Sequence, residues 1–309
     1  MYNILVNPAS KSGLGLYIFD QLKPVLHKKG ISYKLIQSAY AGHMTEIVRE
    51  LTAVSEKIQL IVLGGDGTMN EVLQGIRDFS LVEIGYIPTG SSNDLARALQ
   101  LPKDPRVLLD RILSGTGKRL IDLGKLTCTP SGTDNTINRY FIVSSGIGFD
   151  AAVCEESISS PFKNTLNKLR LGKLTYLAIA LKQLIAAHKV SCKLILDGHK
   201  TIHMERFLFI TSMNHPYEGG GFLFCPDADN SDGVLDICAV GHIPKPLILL
   251  ALPTAYFGKH TVFPGISLHR AARIEIHSAV PLWIHTDGEV SFKSSHIYIS
   301  CKKQILTLL

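Results

Sequence analysis

Two glycines, an aspartate, a third glycine and a threonine leave a chain few choices when a strand precedes them and a helix follows. Gly64-Gly65-Asp66-Gly67-Thr68 stands between the apolar run QLIVL and a segment whose apolar positions, Met69, Val72, Leu73 and Ile76, repeat with helical spacing. Glycines let backbone N–H groups approach phosphate oxygens with no Cβ in the way, and a helix N-terminus adds unsatisfied donors and a favourable dipole. Asp66 is then the residue to explain. A carboxylate beside a polyphosphate repels it unless a cation lies between them, so the pattern points to Mg²⁺, held directly or through water. The plainer alternative is an aspartate that caps a helix. Thr68 and Glu71 read as a T-x-x-E capping box, which would leave Asp66 free of that duty.

The surrounding grammar is βαβ. From Asn3 to about Ile121, the runs NILV, YKLI, QLIVL and EIGYI are each followed by a loop and an amphipathic segment, which predicts an α/β domain with a mostly parallel sheet. After the first run, Leu14, Ile18, Leu22, Val25 and Leu26 predict a helix ending at Gly30, with Pro24 its weak point. Two more loops fall at the same end of such a sheet: Asn7-Pro8-Ala9-Ser10-Lys11, and Pro88 to Asp94 with Ser91 and Asn93 inside it. Asn7, Ser10 and Ser91, each taken alone, read equally as turn or cap residues and as nucleotide contacts. Three such loops together point to a nucleotide site. The chain lacks G-x-x-x-x-G-K-[ST] and the H-R-D and D-F-G pair, so it is neither a Walker P-loop protein nor a protein kinase. Gly146-Ile147-Gly148-Phe149-Asp150-Ala151 fits G-x-G-x-x-A, but it has no βαβ unit around it and carries little weight as a dinucleotide fingerprint.

After about Asp122 the strands follow one another closely: LIDLGKLTC, NRYFIVSS, SCKLILDG, ERFLFITS, GVLDICAV, ARIEIHS, PLWIHTDG and HIYIS. A second, β-rich, largely antiparallel domain is expected over residues 122–309, its last residues packing back on the first domain at 1–121. One helical island, Leu166 to Ala187, interrupts it. The net charge of +6 favours an anionic partner without separating nucleic acid from a phosphate-bearing substrate or a membrane surface. Six scattered cysteines suggest neither a zinc site nor a disulfide framework. No basic and apolar leader opens the chain, and the longest apolar runs, Leu247 to Phe257 and Leu174 to Ala187, are broken well short of the ~20 residues a membrane span needs. A cytoplasmic protein with peripheral membrane contact is the expectation.

NPASKSGLG, GGDGTMNEVLQG, IPTGSSNDLARAL, IDLG, SSGIGFDA, PDADNSDGVLD and HTDGE, running from Asn7 to Glu289, together resemble the diacylglycerol kinase catalytic-domain family in its bacterial lipid-kinase branch. The resemblance implies a nucleotide domain related to NAD kinase, a C-terminal domain of β-sandwich type and an active site in the cleft between them. It implies a reaction in which Mg-ATP phosphorylates a lipid hydroxyl, most naturally that of diacylglycerol. Phosphatidylglycerol, sphingosine-like bases and undecaprenol are rival substrates, and a non-catalytic regulator is a further alternative; nucleic acid is not an expected partner. By the same resemblance Asn7 to Lys11, Ser38, Gly64 to Glu71 (with Met69 and Asn70) and Ser91 contact ATP. Asp66, with Asp94 and Asp122 nearby, organises Mg-ATP, and Asn93 and Arg97 support the site. Glu289 accepts the proton of the lipid hydroxyl. Asp232, with the carbonyls of Asp229 and Val234, resembles a structural Mg²⁺ site; taken as sequence alone, the segment equally suits a solvated turn. The chain departs from the pattern where Lys11 and Ser12 read as an inserted or shifted pair, and where Ser91 replaces the commoner threonine. The basic and apolar region Lys163 to Lys182 is the candidate membrane-facing surface, with a solvated core helix as the alternative. Strand edges in the β-rich half make a homodimer an open expectation.

Overall fold

The structure is a computed structural model and describes residues 1–159, 172–187 and 189–309. Four strands, β1 (Tyr2–Val6), β2 (Tyr33–Gln37), β3 (Ile58–Gly64) and β4 (Val82–Pro88), pair in parallel in the order β2-β1-β3-β4. β3 and β4 are buried nearly throughout, as strands covered on both faces must be. On one face, helices α2 (His43–Leu51) and α3 (Asp66–Gly75) bury Met44, Val48, Met69, Val72 and Leu73 against Leu5, Leu60 and Val62. On the other, α1 (Leu14–Lys28) and α5 (Pro105–Ser114) bury Phe19, Leu22, Leu109 and Ile112 against Ile4, Ile61 and Leu63. Pro24 lies inside α1, and Gly30 follows the helix at φ 64°. The short α4 (Asp94–Ala98) carries the loop after β4.

The β-rich half is antiparallel. It runs through β5 (Arg119–Cys128), β6 (Ile137–Phe141), β7 (Ser144–Gly148), β8 (Val190–Leu196), β9 (Lys200–Phe207), β10 (Phe209–Met213), β11 (Tyr217–Glu218) and β12 (Phe222–Leu223). β13 (Leu235–Val240), β14 (Ile266–Ala271), β15 (Arg273–Thr286) and β16 (Glu289–Leu308) complete it. Phe141, Phe207, Ile237, Ile274 and Ile299 lie in its core. β16 joins the halves: it pairs antiparallel with β15 and β5, and its end, Thr307–Leu308, pairs in parallel with β4, so Leu306 and Leu308 enter the core of the first domain.

Two runs read as single strands are broken. NRYFIVSS divides into β6 and β7 because the N–H groups of Ile142 and Val143 turn to the carboxylate of Asp287. ERFLFITS divides at Leu208, whose N–H reaches Val240 while its carbonyl accepts from Phe149. ARIEIHS and PLWIHT, by contrast, are one strand with a register shift between His277 and Leu282, next to Pro281. Of the expected helical island, Gly172–Ala186 is helical and its start at Leu166 lies outside the described residues.

Candidate active site

Parallel pairing puts the loops after β1, β3 and β4 at one end of the sheet, and side chains lock them together. Asn7 Nδ2 donates to Thr68 Oγ1 at 3.1 Å, and Ser10 Oγ bonds Thr89 Oγ1 at 2.7 Å. Thr89 N–H donates to the Gly64 carbonyl at 2.8 Å. Gly65 and Gly90 pass so close that a Cβ on Gly90 would lie 2.5 Å from Gly65 Cα, which accounts for glycine in both loops. Ala9 N–H closes a turn on Asn7 Oδ1, and after Ser10 the backbone turns left-handed: Lys11 at φ 41°, Ser12 at φ 58° and Gly13 at φ 99°. The pair read from sequence as inserted is thus where the loop kinks. Ser38 is buried, with its N–H on the Val6 carbonyl, and Ser91 is exposed.

The N-cap of α3 is Gly65, which has no side chain to cap the helix. The capping box expected from Thr68 and Glu71 does not form. Thr68 accepts from Asn7, and the Glu71 carboxylate takes the N–H groups of Gly42 and Met44 at 3.0 and 3.1 Å, tying down the start of α2. Asp66 does cap a helix, but the neighbouring one: its two oxygens accept from Asp94 N at 3.0 Å and Leu95 N at 3.3 Å, at the start of α4. Met69 faces the core.

Asp94 lies beside Asp66. Its Oδ2 accepts from Gly220 N at 2.7 Å, while Oδ1 is buried without a hydrogen-bond donor and Arg97 Nη1 stands off at 3.9 Å. Arg97 lies over the Tyr217 ring, and Asn93 Oδ1 and Nδ2 bond the Gly90 N–H and carbonyl. The Tyr86 hydroxyl, near both acids, is also buried without a partner. Burial, then the charge of Asp94, pushes the Asp66 carboxyl up to about 7, and burial raises Asp94 as well. Adjacent buried carboxylates with an oxygen to spare are the donor set of a hard divalent cation, so Asp66 and Asp94 fit Mg²⁺.

The β15–β16 turn closes this corner from the other half of the chain. Asp287 and Gly288 both have positive φ, and the Asp287 carboxylate accepts from Asn70 Nδ2 and from the N–H groups of Ile142, Val143 and Ser144 at 2.8–3.1 Å. Glu289 is thereby set over the glycine loop: a Cβ on Gly67 would lie 2.5 Å from Glu289 Oε1. Arg139 bonds Asn70 Oδ1 at 2.7 Å and Thr286 Oγ1 at 3.0 Å, and it feels the charges of Glu289 and Asp287.

Behind the turn, His285 Nε2 lies 3.1 Å from Glu218 Oε1 and 3.3 Å from Asp150 Oδ2. The three could ligate a metal by distance alone. However, Gly288 N–H donates to His285 Nδ1 at 3.2 Å, which places the ring proton on Nε2 facing the carboxylates. The cluster is therefore a hydrogen-bonded brace for the turn. Burial raises the Asp150 carboxyl, and against its own burial the ring is raised by the charge of Glu218 and its bonds to both carboxylates, which keeps a proton at Nε2. Gly146 makes room for it, since a Cβ there would lie 1.9 Å from Asp150 Oδ2.

Asp122 is not beside Asp66. Its carboxylate accepts from Gly233 N at 2.6 Å and Gln304 N at 2.7 Å, pinning the 229–234 loop to β16. In that loop Asp229 Oδ1 takes the N–H and hydroxyl of Ser231, and Asp232 takes Val234 N–H and the guanidinium of Arg270, which also reaches Asp236. Arginine supplies counter-charge to Asp232 and Asp236 there.

Sequence reading missed Arg139, Glu218, Tyr86 and the roles of Asp150 and His285. The last two lie inside quoted motifs, whereas Glu218 carries no local signal.

Residues 2–126 match the family model described as diacylglycerol kinase catalytic domain, and residues 143–309 match the YegS C-terminal NAD kinase beta sandwich-like domain. A diacylglycerol kinase of Mycobacterium tuberculosis is 30% identical over 288 residues, 92% of this chain and 87% of that one. A diacylglycerol kinase structure from Bacillus anthracis superposes with TM-score 0.67 at 20% identity, covering 99% of this chain and 95% of that one. Yeast NADH kinase, complexed with NADH, shares the fold at TM-score 0.53 and 10% identity, covering 100% of this chain and 82% of that one.

Proposed function

Because the chain belongs to the diacylglycerol kinase catalytic-domain family, we propose that it transfers the γ-phosphoryl group of ATP, with Mg²⁺, to the hydroxyl of a diacylglycerol-like lipid. The observation that carries the reading is the meeting of Glu289 with Gly67, which brings a carboxylate from the last hairpin onto a glycine loop 222 residues earlier. The N–H groups at the start of α3 receive phosphate oxygens, with the loops at Asn7 to Lys11, Ser38 and Ser91 around the nucleotide. Asp66 and Asp94 hold Mg²⁺, which when bound neutralises charge on the phosphoryl oxygens. Glu289 takes the proton of the attacking hydroxyl as its oxygen bonds the γ-phosphorus and the bond to ADP breaks. Arg139, Asn70 and Asp287 position the turn that carries it. Among the described residues no helix is long and apolar enough to cross a membrane, and on this reading the enzyme meets its lipid at a membrane surface.

The test is transfer of labelled γ-phosphate to a panel of lipid alcohols in mixed micelles. Labelled phosphatidic acid, lost in Glu289→Gln while ATP binding persists, is the expected result. Label on phosphatidylglycerol, a sphingosine-like base or undecaprenol would keep the chemistry and change the substrate, and no label on any of them would reject the reading.

A further inference from the structure

Exposed large apolar side chains gather on one segment of the second domain. Helix Lys245–Ala255 and the turn after it present Leu249, Leu250 (64% exposed), Tyr256, Phe257 (74%) and Val262 (76%) to solvent. The neighbouring helix Gly172–Ala186 adds Ile185 (77%), and the Lys245 ammonium bridges the two by donating to the Ile185 carbonyl at 2.6 Å. A contiguous apolar patch rimmed by polar groups marks an interaction surface.

The rim is cationic. No acid occurs from Ile237 to Ile274, while Lys245 and the exposed Lys259 flank the apolar residues. Lys189 and Arg206 join Lys245: burial, then the charges of those two, holds the Lys189 ammonium below its ordinary value. Like charges crowded beside exposed leucine and phenylalanine suit a surface that is anionic outside and apolar within.

The patch also leads to the active site. Tyr256 packs on Phe222 with ring centroids 4.1 Å apart and the planes tilted by 32°. Phe222 is two residues, at most about 7 Å of chain, from Gly220, whose N–H donates to Asp94. Residues 217–222, held by Arg97 over Tyr217, thus run from the acidic corner to the apolar patch.

We propose that residues 245–262, with Ile185 and the Lys189, Arg206 and Lys245 cations, are the face that docks on an anionic phospholipid bilayer. This deepens the lipid-kinase reading, and moves the docking face away from the Lys163 to Lys182 region, the first nine residues of which lie outside the described residues. Docking here places the 217–222 segment at the bilayer surface, so a lipid hydroxyl has a short way to Asp94 and Glu289.

The test is co-sedimentation of the full chain with vesicles of phosphatidylcholine alone or mixed with phosphatidylglycerol. Wild type is expected to sediment with the mixed vesicles and less with phosphatidylcholine. Leu250→Asp combined with Phe257→Asp should lower that binding at least about tenfold, with an unchanged melting temperature and unchanged phosphorylation of a short-chain, water-dispersed diacylglycerol. A milder pair, Leu250→Ser with Phe257→Ser, guards against misfolding and should fall between. Unaltered vesicle binding in the folded double variants would overturn the proposal. So would a wild-type dimer that these variants dissociate while wild type ignores vesicles, since the face would then join two copies of the chain. Binding is read without phosphoryl transfer, so an inactive wild type that still docks would count against the kinase reading and leave this face standing.

Discussion

Two acid-rich places in this molecule treat buried negative charge in opposite ways. Around Asp122 the carboxylates of three aspartates are answered: Gly233 and Gln304 donate to Asp122, Ser231 to Asp229, and Arg270 to Asp232. Around Asp66 the account is left open: Asp94 Oδ1 and the Tyr86 hydroxyl are buried without a hydrogen bond, Arg97 stands 3.9 Å from that oxygen, and the Asp66 carboxyl is raised to about 7. In sequence the first draws on one aspartate-rich loop, PDADNSD, while the second is assembled from single aspartates, Asp66 and Asp94, in two glycine-containing loops. The difference teaches that acid content alone does not mark a cation site; what marks it is acid that the protein's own donors leave unsatisfied.

The largest effect should come from the open side. Asp66→Asn should lower phosphoryl transfer at least about 10³-fold, because positioning and charge neutralisation carry most of the rate in this chemistry; residual activity above a tenth would break the comparison. The same substitution should remove a pH dependence of stability. A carboxyl raised from 3.8 to about 7 is protonated in the fold, so its contribution is full below about pH 4 and lost as pH rises through about 7. At roughly 1.4 kcal/mol per pH unit, the loss above pH 7 is on the order of 4 kcal/mol. The metal-free protein should therefore melt lower at pH 8 than at pH 6, and Asp66→Asn should flatten that slope; thermal melts across this window in a chelating buffer check it.

On the satisfied side, Asp122→Ala leaves buried N–H groups of Gly233 and Gln304 without an acceptor and should cost about 3 kcal/mol, read as a denaturation midpoint that Mg²⁺ does not restore. His285 offers a finer test. Asn can keep an acceptor at the Nδ1 position facing Gly288, whereas Gln keeps only a donor near Nε2. His285→Asn should retain kcat within about tenfold and His285→Gln should lose about 10²-fold, with KM for ATP little changed; the reverse order would detach the brace from Glu289. The smallest effect belongs to Asp232→Ala, which removes a partly exposed ion pair with Arg270 and should cost about 1 kcal/mol or less by the same denaturation measurement.

How much of this was legible in the sequence depended on distance along the chain. The βαβ order, α1 with its end at Gly30, and the three glycine-containing loops follow from periodicity and turn chemistry within short windows, and the structure has them. Asp287 and Asn70 are 217 residues apart, and no local pattern announces that bond. The same long-range pull explains the break in NRYFIVSS, where Asp287 takes N–H groups a continuous strand would have used. Glu71 fits a capping box in sequence, but the bare start of α2 offers two N–H groups within its reach. Asp122 is the lone acid of the IDLG motif, and only the return of β16 and the 229–234 loop shows what it pins.

Titration of Mn²⁺, as a spectroscopic stand-in for Mg²⁺, into the protein with a non-hydrolysable ATP analogue separates the two acidic places most directly. The expected result is a bound ion in wild type and in Asp232→Ala, with affinity at least about tenfold weaker in Asp66→Asn. Full binding in Asp66→Asn together with loss in Asp232→Ala would put the cation in the other loop and contradict the assignment.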